Sequence, residues 1–169
     1  MGYSITIGEA TIIHPGDDDY SSELRIGVTG LSLPEAPEFP GDGMTSKGNG
    51  RSPSCSGWEN FCRDVGLYDL FFRKEDEEGP IGLMTSHPGT FGLTAKHAAE
   101  IRAALDRRRS ADPDGLRVPG WDPTLEGSAA WTQDGADPKY DGNLARLIWL
   151  DWWVSWAVAN CKTPTIQNT

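Results

Sequence analysis

The run from about Asn143 to Asn160, Asn-Leu-Ala-Arg-Leu-Ile-Trp-Leu-Asp-Trp-Trp-Val-Ser-Trp-Ala-Val-Ala-Asn, leaves the chain few ways to fold. It carries Trp149, Trp152, Trp153 and Trp156, four of the 7 tryptophans. Apolar side chains cover nearly every face, and a helix that is apolar all round has to be covered on all sides. It is shorter than the roughly 20 residues of a membrane span and contains Arg146 and Asp151, so a core helix is expected rather than a transmembrane one. The rest of the 169 residues, a length that suits a single domain over 1–169, must supply the cover.

Two kinds of element are available to do so. Tyr3, Ile5 and Ile7 alternate with Ser4, Thr6 and Gly8, and Leu24, Ile26 and Val28 alternate with Glu23, Arg25, Gly27 and Thr29. Period-two alternation marks half-buried strands. The turn formers from His14 to Asp19 lie between them, which predicts an N-terminal β-hairpin over about 2–13 and 22–33. A lone hairpin is marginal, so its apolar face is expected to pack on the rest of the chain. Trp58, Phe61, Cys62 and Val65 follow helical spacing, with Ser54 or Ser56 as N-cap and Gly66 as the stop. Leu67–Phe72 is too apolar for a loop and reads as a helical turn or a strand. Thr94 caps a further helix with Ala98, Ile101 and Leu105 inward and Arg107, Arg108 and Arg109 in its last turn. The expected fold is α+β: a hairpin packed on about three helices, a central Trp-rich C-terminal helix, and two long loops at 34–57 and 110–140. Trp121, Trp131 and Tyr140 are expected to anchor the second loop.

Charge narrows the function. Lys and Arg total 15 against 25 Asp and Glu, a formal net charge of -10. Binding to long nucleic acids and to anionic membranes depends on cations, so neither is expected as a partner. The 3 cysteines, Cys55, Cys62 and Cys161, form no CxxC pair and no even framework, and read as reduced packing thiols. His14, His87 and His97 complete no metal spacing with them. The N-terminus has no basic stretch and no long apolar run, so no secretion signal is expected, and the localisation reads as cytoplasmic. Arg outnumbers Lys, and Gly, Asp and Trp are abundant, a bias that suits a GC-rich bacterial or phage genome. The acidic stretches Asp17–Asp19 and Glu75–Glu78 read as solvated turns and match no calcium loop.

Three segments stand out as candidate sites. The first runs from Thr45 to Gly57 into the Trp58 helix. It combines glycines, hydroxyls and two cations with a helix N-terminus, the ingredients of an anion cradle. It lacks the GxxxxGK[ST] pattern of a nucleotide-hydrolysing loop. Lys47, Asn49, Arg51, Ser52 and Ser54 are the expected ligands there, with Trp58 for stacking. The second is Thr85-Ser86-His87-Pro88-Gly89-Thr90 together with His97, where His87 and Thr90 could hold an anion or His87 act as a base. The third is Asp151 beside Trp152 in the core helix. A buried carboxylate needs a partner, and Arg51 or Arg146 is expected to supply it.

The favoured reading is a non-enzymatic binding protein that sequesters a small anionic, nucleotide-like ligand, as a phage or prophage counter-defence sponge would, with no cofactor and no catalytic residue. Two alternatives stand beside it. One is an acidic interaction protein, an inhibitor that blocks a basic surface of another protein. The other is a small hydrolase or transferase using His87 and a carboxylate such as Asp151. The aromatic excess of the last helix also leaves a homo-oligomer open.

Overall fold

The computed structural model describes residues 2–13, 25–37, 42, 47–73, 89–111 and 141–169. In chain order these form β1 (Ile5–Ile13), β2 (Arg25–Val28), β3 (Gly50–Arg51), α1 (Cys55–Val65), α2 (Tyr68–Phe72), β4 (Gly89–Gly92), α3 (Ala95–Ala111), α4 (Gly142–Asn160) and β5 (Pro164–Asn168). The fold is α+β, a curled antiparallel sheet with helices against it. Of the expected loop over 110–140, Ser110 and Ala111 belong to α3, and the remainder with its aromatic anchors lies outside the described residues.

The Trp-rich helix sits where its composition demands. Ten of the α4 side chains are buried, among them Leu147, Trp149, Leu150, Trp153 and Val154. α4 packs on α3 and on β1 and β5, and only Trp152, Ser155 and Trp156 stay partly exposed between Leu147 and Ala157. Asp141 starts it. One carboxylate oxygen accepts the N–H groups of Asn143 and Leu144 at 3.0 and 3.1 Å, and the other accepts from Arg108 Nε at 2.8 Å. A single side chain thus caps one helix and ties it to the end of another. No helix among the described residues is long and apolar enough to cross a membrane.

The first helix also ends as its sequence dictates. Ser54 Oγ accepts from Gly57 N–H at 3.1 Å. At the other end Gly66 adopts φ 75°, a left-handed conformation that glycine takes without a Cβ penalty. Its N–H donates to Arg63 O and that of Leu67 to Cys62 O, the two bonds of a Schellman motif, and Leu67 is buried beneath the turn. The Leu67–Phe72 segment resolves as the short helix α2.

The sheet departs from a plain hairpin. The order is β2-β1-β5-β4, and β3 also pairs with β1. Ile5 and Ile7 of β1 are fully buried with Ile166 of β5 against α4. At Gly8 the sheet curls so tightly that a Cβ there would stand 3.2 Å from Val28 Cγ1. Just beyond the bend Glu9 still pairs with Pro164 of β5, and from Ala10 opposite Val28 to Ile13 opposite Arg25 the strand partner of β1 is β2. The curl brings the Gln167 side chain to β2, where its amide accepts from Val28 N–H and donates to Ile26 O, both at 2.9 Å. The expected packing of the hairpin is therefore split at the bend. Its first half is core, but Ile12 and Ile26 beyond Gly8 remain 65% and 51% exposed.

The expected loop at 34–57 contains paired backbone. β3 pairs with Ile5–Thr6, Gly48 bridges Ser32, and Ser54 bridges Gly2. Three long-range contacts hold this stretch. Asn49 is the first: its side-chain Nδ2 donates to Ile7 O at 2.8 Å and Thr29 O at 3.0 Å, and its Oδ1 accepts from Leu31 N–H at 2.7 Å. The second is Trp149 Nε1, which donates to Gly48 O at 2.9 Å. The third is a bidentate ion pair from Arg146 to Asp42 at 3.0 and 2.8 Å. β3, β4 and β5 were not expected from the sequence. They are short, and only their partners in β1 and β5 define them.

Candidate functional site

The segment expected to form an anion cradle runs along one seam, with Asn49 and Arg51 turned into the fold and Ser52 and Ser54 exposed. Lys47 Nζ donates to Pro34 O at 2.9 Å. Asn49 is 2% exposed, and all of its side-chain bonds go to main-chain groups. Arg51 is 0% exposed, lies 5.2 Å from the Trp149 ring centroid, and donates to Gly50 O. Ser52 is exposed, and its N–H donates to Asp42 O. Ser54 is the α1 cap, and Trp58 is fully buried against Phe61 and Phe71. The physical reason is the open edge of β1: its buried main-chain groups need partners, and this segment provides them.

The third segment is placed differently from its expectation. Asp151 is buried on α4, but its partner is Arg102 of α3, at 2.7 Å, rather than Arg51 or Arg146. Burial raises the carboxyl above its usual range, and the Arg102 bond and charge offset only part of that. Arg146 is engaged with Asp42 instead. Trp152 is half-buried, edge-on to Trp153 with centroids 4.8 Å apart. Of the second segment, His87 lies outside the described residues, and Thr90 is exposed on β4 opposite Gln167. The cations at the end of α3 are also in use: Arg107 Nη2 donates to Val65 O and Arg108 to Asp141. Cys62 is buried among apolar neighbours, which pushes its thiol pKa far up, as suits a packing thiol.

His97 marks a different place. It stands in the first turn of α3, and its Nδ1 accepts from Thr94 N–H at 3.0 Å. This is the reciprocal half of a capping box, with His in the position usually held by Glu or Gln. The ring lies against Phe91 of β4, centroids 5.3 Å apart. Burial lowers its pKa from 6.5, and the accepted N–H bond also requires an unprotonated Nδ1.

The pH consequence has a definite sign. The folded state keeps His97 neutral while the unfolded chain takes up a proton first as the pH falls. Its contribution is complete above about pH 6.5 and is lost on acidification through the lower folded pKa. Denaturant titrations from pH 7.5 to 5.0 should therefore show stability falling below pH 6.5. His97→Gln, which keeps the cap but cannot titrate, should flatten that part of the profile. An unchanged profile would refute the assignment.

Phe91 and His97 form one wall of a hollow of about 250 Å³ between α2, β4 and the start of α3. A second hollow of about 320 Å³ adjoins it along α3 and shares Asp69, Leu70, Arg73 and Glu100. Together they make a groove with an apolar floor at Leu70 and Phe91. Its rim carries three cations, Arg73, Lys96 and Arg107, against two carboxylates, Asp69 and Glu100. On this rim Arg73 pairs with Asp69 at 3.4 Å, and the Lys96–Glu100 pair at 3.9 Å is solvent-facing and weak, so a ligand can replace the Lys96 pair at small cost. The positive end of the α3 dipole adds to the cationic side.

Except for His97, this groove was not read from the sequence. The signal was present in part. Lys96, Glu100, Ala103 and Arg107 recur at helical spacing, and so do Asp69 and Arg73. That the two stripes face each other is a property of the packing. Among the described residues no three His, Cys, Asp or Glu side chains gather as a metal site. Comparison with known proteins finds no family model, no curated relative and no solved structure that matches the chain.

Proposed function

We propose that this protein binds, without chemically transforming it, a small anionic molecule with an aromatic or nucleotide-like part, and that it does so in the groove between α2 and α3. The observation that carries the reading is that Arg73 and Lys96 meet the Phe91–His97 wall around one hollow, with Arg107 on the hollow that adjoins it, in a chain of net charge -10. An acidic protein repels anions at long range, so a local cationic rim is the place for one to bind. The aromatic wall offers a face for a flat ring, and Leu70 an apolar floor. Of the cations that the sequence marks in 47–51, Arg51 is fully buried beside Trp149 and Lys47 bonds Pro34 O, which favours the α2–α3 rim as the site for such a ligand.

Thermal unfolding against a panel of nucleoside mono- and diphosphates, cyclic nucleotides and aromatic carboxylates tests this. A ligand at one hundred times its Kd stabilises by about 2.7 kcal/mol, which raises Tm by roughly 5–10 °C for a chain of this size. Lys96 is an exposed groove residue whose ion pair is weak, so Lys96→Glu should fold normally and lose the shift. The reading fails if no compound raises Tm, or if Lys96→Glu retains the full shift.

A further inference from the structure

Among the described residues the exposed large apolar side chains gather in one region: Ile12, Ile26 and Leu31, at 65%, 51% and 38% exposure. Ile12 and Ile26 are directly opposed in the β1–β2 register, and Leu31 follows β2 after a short link. The backbone of this hairpin is not what it offers. The outer edge of β2 is closed by the Gln167 amide, so strand addition is blocked and the side-chain face remains. Next to Leu31 lies a crevice of about 160 Å³ with mostly apolar walls. Glu9, Thr11, Thr29, Leu31 and the half-buried Trp156 are among the residues that line it. At Gly30 an added Cβ would meet nothing, so the approach is open.

We propose that this face docks a protein partner that inserts a lysine or arginine into the crevice while its neighbouring apolar side chains cover Ile12 and Ile26. Three observations favour that chemistry over others. A tryptophan and a glutamate lining one apolar crevice suit a cation attached to an apolar stem: the stem would lie along Leu31 and the charged head would meet Trp156 and Glu9. Glu9 is held in place because it accepts the N–H groups of Lys162 and Thr163 at 2.6 and 3.0 Å. The net charge of -10 attracts a basic partner and repels an acidic one. This surface is separate from the α2–α3 groove and does not depend on it.

Selection of a random dodecapeptide display library on the intact protein at low salt tests the proposal. The enriched peptides should carry Lys or Arg beside aliphatic or aromatic residues. A synthesised representative should bind Ile12→Lys and Leu31→Lys at least about tenfold more weakly than the unaltered protein, weaken as salt is raised, and bind Lys96→Glu as before. Both hairpin substitutions are at exposed positions, so an unchanged Tm is the control for folding. Enrichment of acidic peptides, absence of a consensus, or equal binding to the two variants would overturn it. So would a sedimenting dimer that Ile12→Lys dissociates, since a second copy of the chain would then be what covers this face.

Discussion

Asn49→Ala should be among the most damaging single changes in this protein. The substitution leaves Ile7 O, Thr29 O and Leu31 N–H without the partner they have in the fold. A buried polar group that loses its partner costs about 1–3 kcal/mol; Ile7 O carries that cost in full and the part-buried Thr29 O and Leu31 N–H add less, for a total of roughly 2–4 kcal/mol. A domain's whole stability is about 5–15 kcal/mol. Urea unfolding followed by far-UV circular dichroism should show the midpoint collapsing, or no folded baseline at all. Asn49→Asp should be at least as severe, because it removes the two donors and places a carboxylate against two carbonyls. Lys47→Ala two residues away should be nearly silent, since its Nζ bond to Pro34 O is exposed. A loss of less than about 1 kcal/mol for Asn49→Ala would show that the seam between β1 and residues 29–31 is not held by this side chain.

The second large effect belongs to Trp149. Its indole is fully buried, donates to Gly48 O at 2.9 Å, and lies beside the buried Arg51 guanidinium. Trp149→Phe keeps much of the volume but orphans a buried carbonyl, and should cost about 1–3 kcal/mol. Trp149→Ala also opens a cavity under Arg51 and should cost at least about 3–5 kcal/mol. The order alanine worse than phenylalanine, measured by the same urea titrations, distinguishes lost packing from lost hydrogen bonding. Equal losses for the two would mean that the Gly48 bond carries the whole effect.

These two residues also show what could be read without a structure. α1 and α3 carry their signals within themselves, a helical period and a capping residue, and α4 carries a long apolar run. They were legible for that reason. The strands β3, β4 and β5 carry almost none. β5 has one large aliphatic residue, Ile166, and β3 is two residues long, so neither displays a period. Their structure comes from β1, which lies far away in sequence. The same limit governs the site. Gly, Ser, Lys and Arg in 45–57 have the composition of an anion loop, and composition is local. Whether Arg51 faces solvent or Trp149 depends on α4, about a hundred residues later. His97 was noticed for its chemistry, but its companions Arg73 and Arg107 acquire a shared purpose only when α2 and α3 are set side by side.

The register of the sheet also fixes an order of events. Ile5 of β1 lies opposite Asn168 of β5, and β4 reaches the sheet only through β5. During synthesis the first strand therefore emerges long before its principal neighbour exists. Ile5 and Ile7 have no finished surface to join until the ribosome has made α4 and the strand after it. Pairing β1 with β5 closes a loop of about 160 residues, a cost that the contacts of α3 with α4 do not carry.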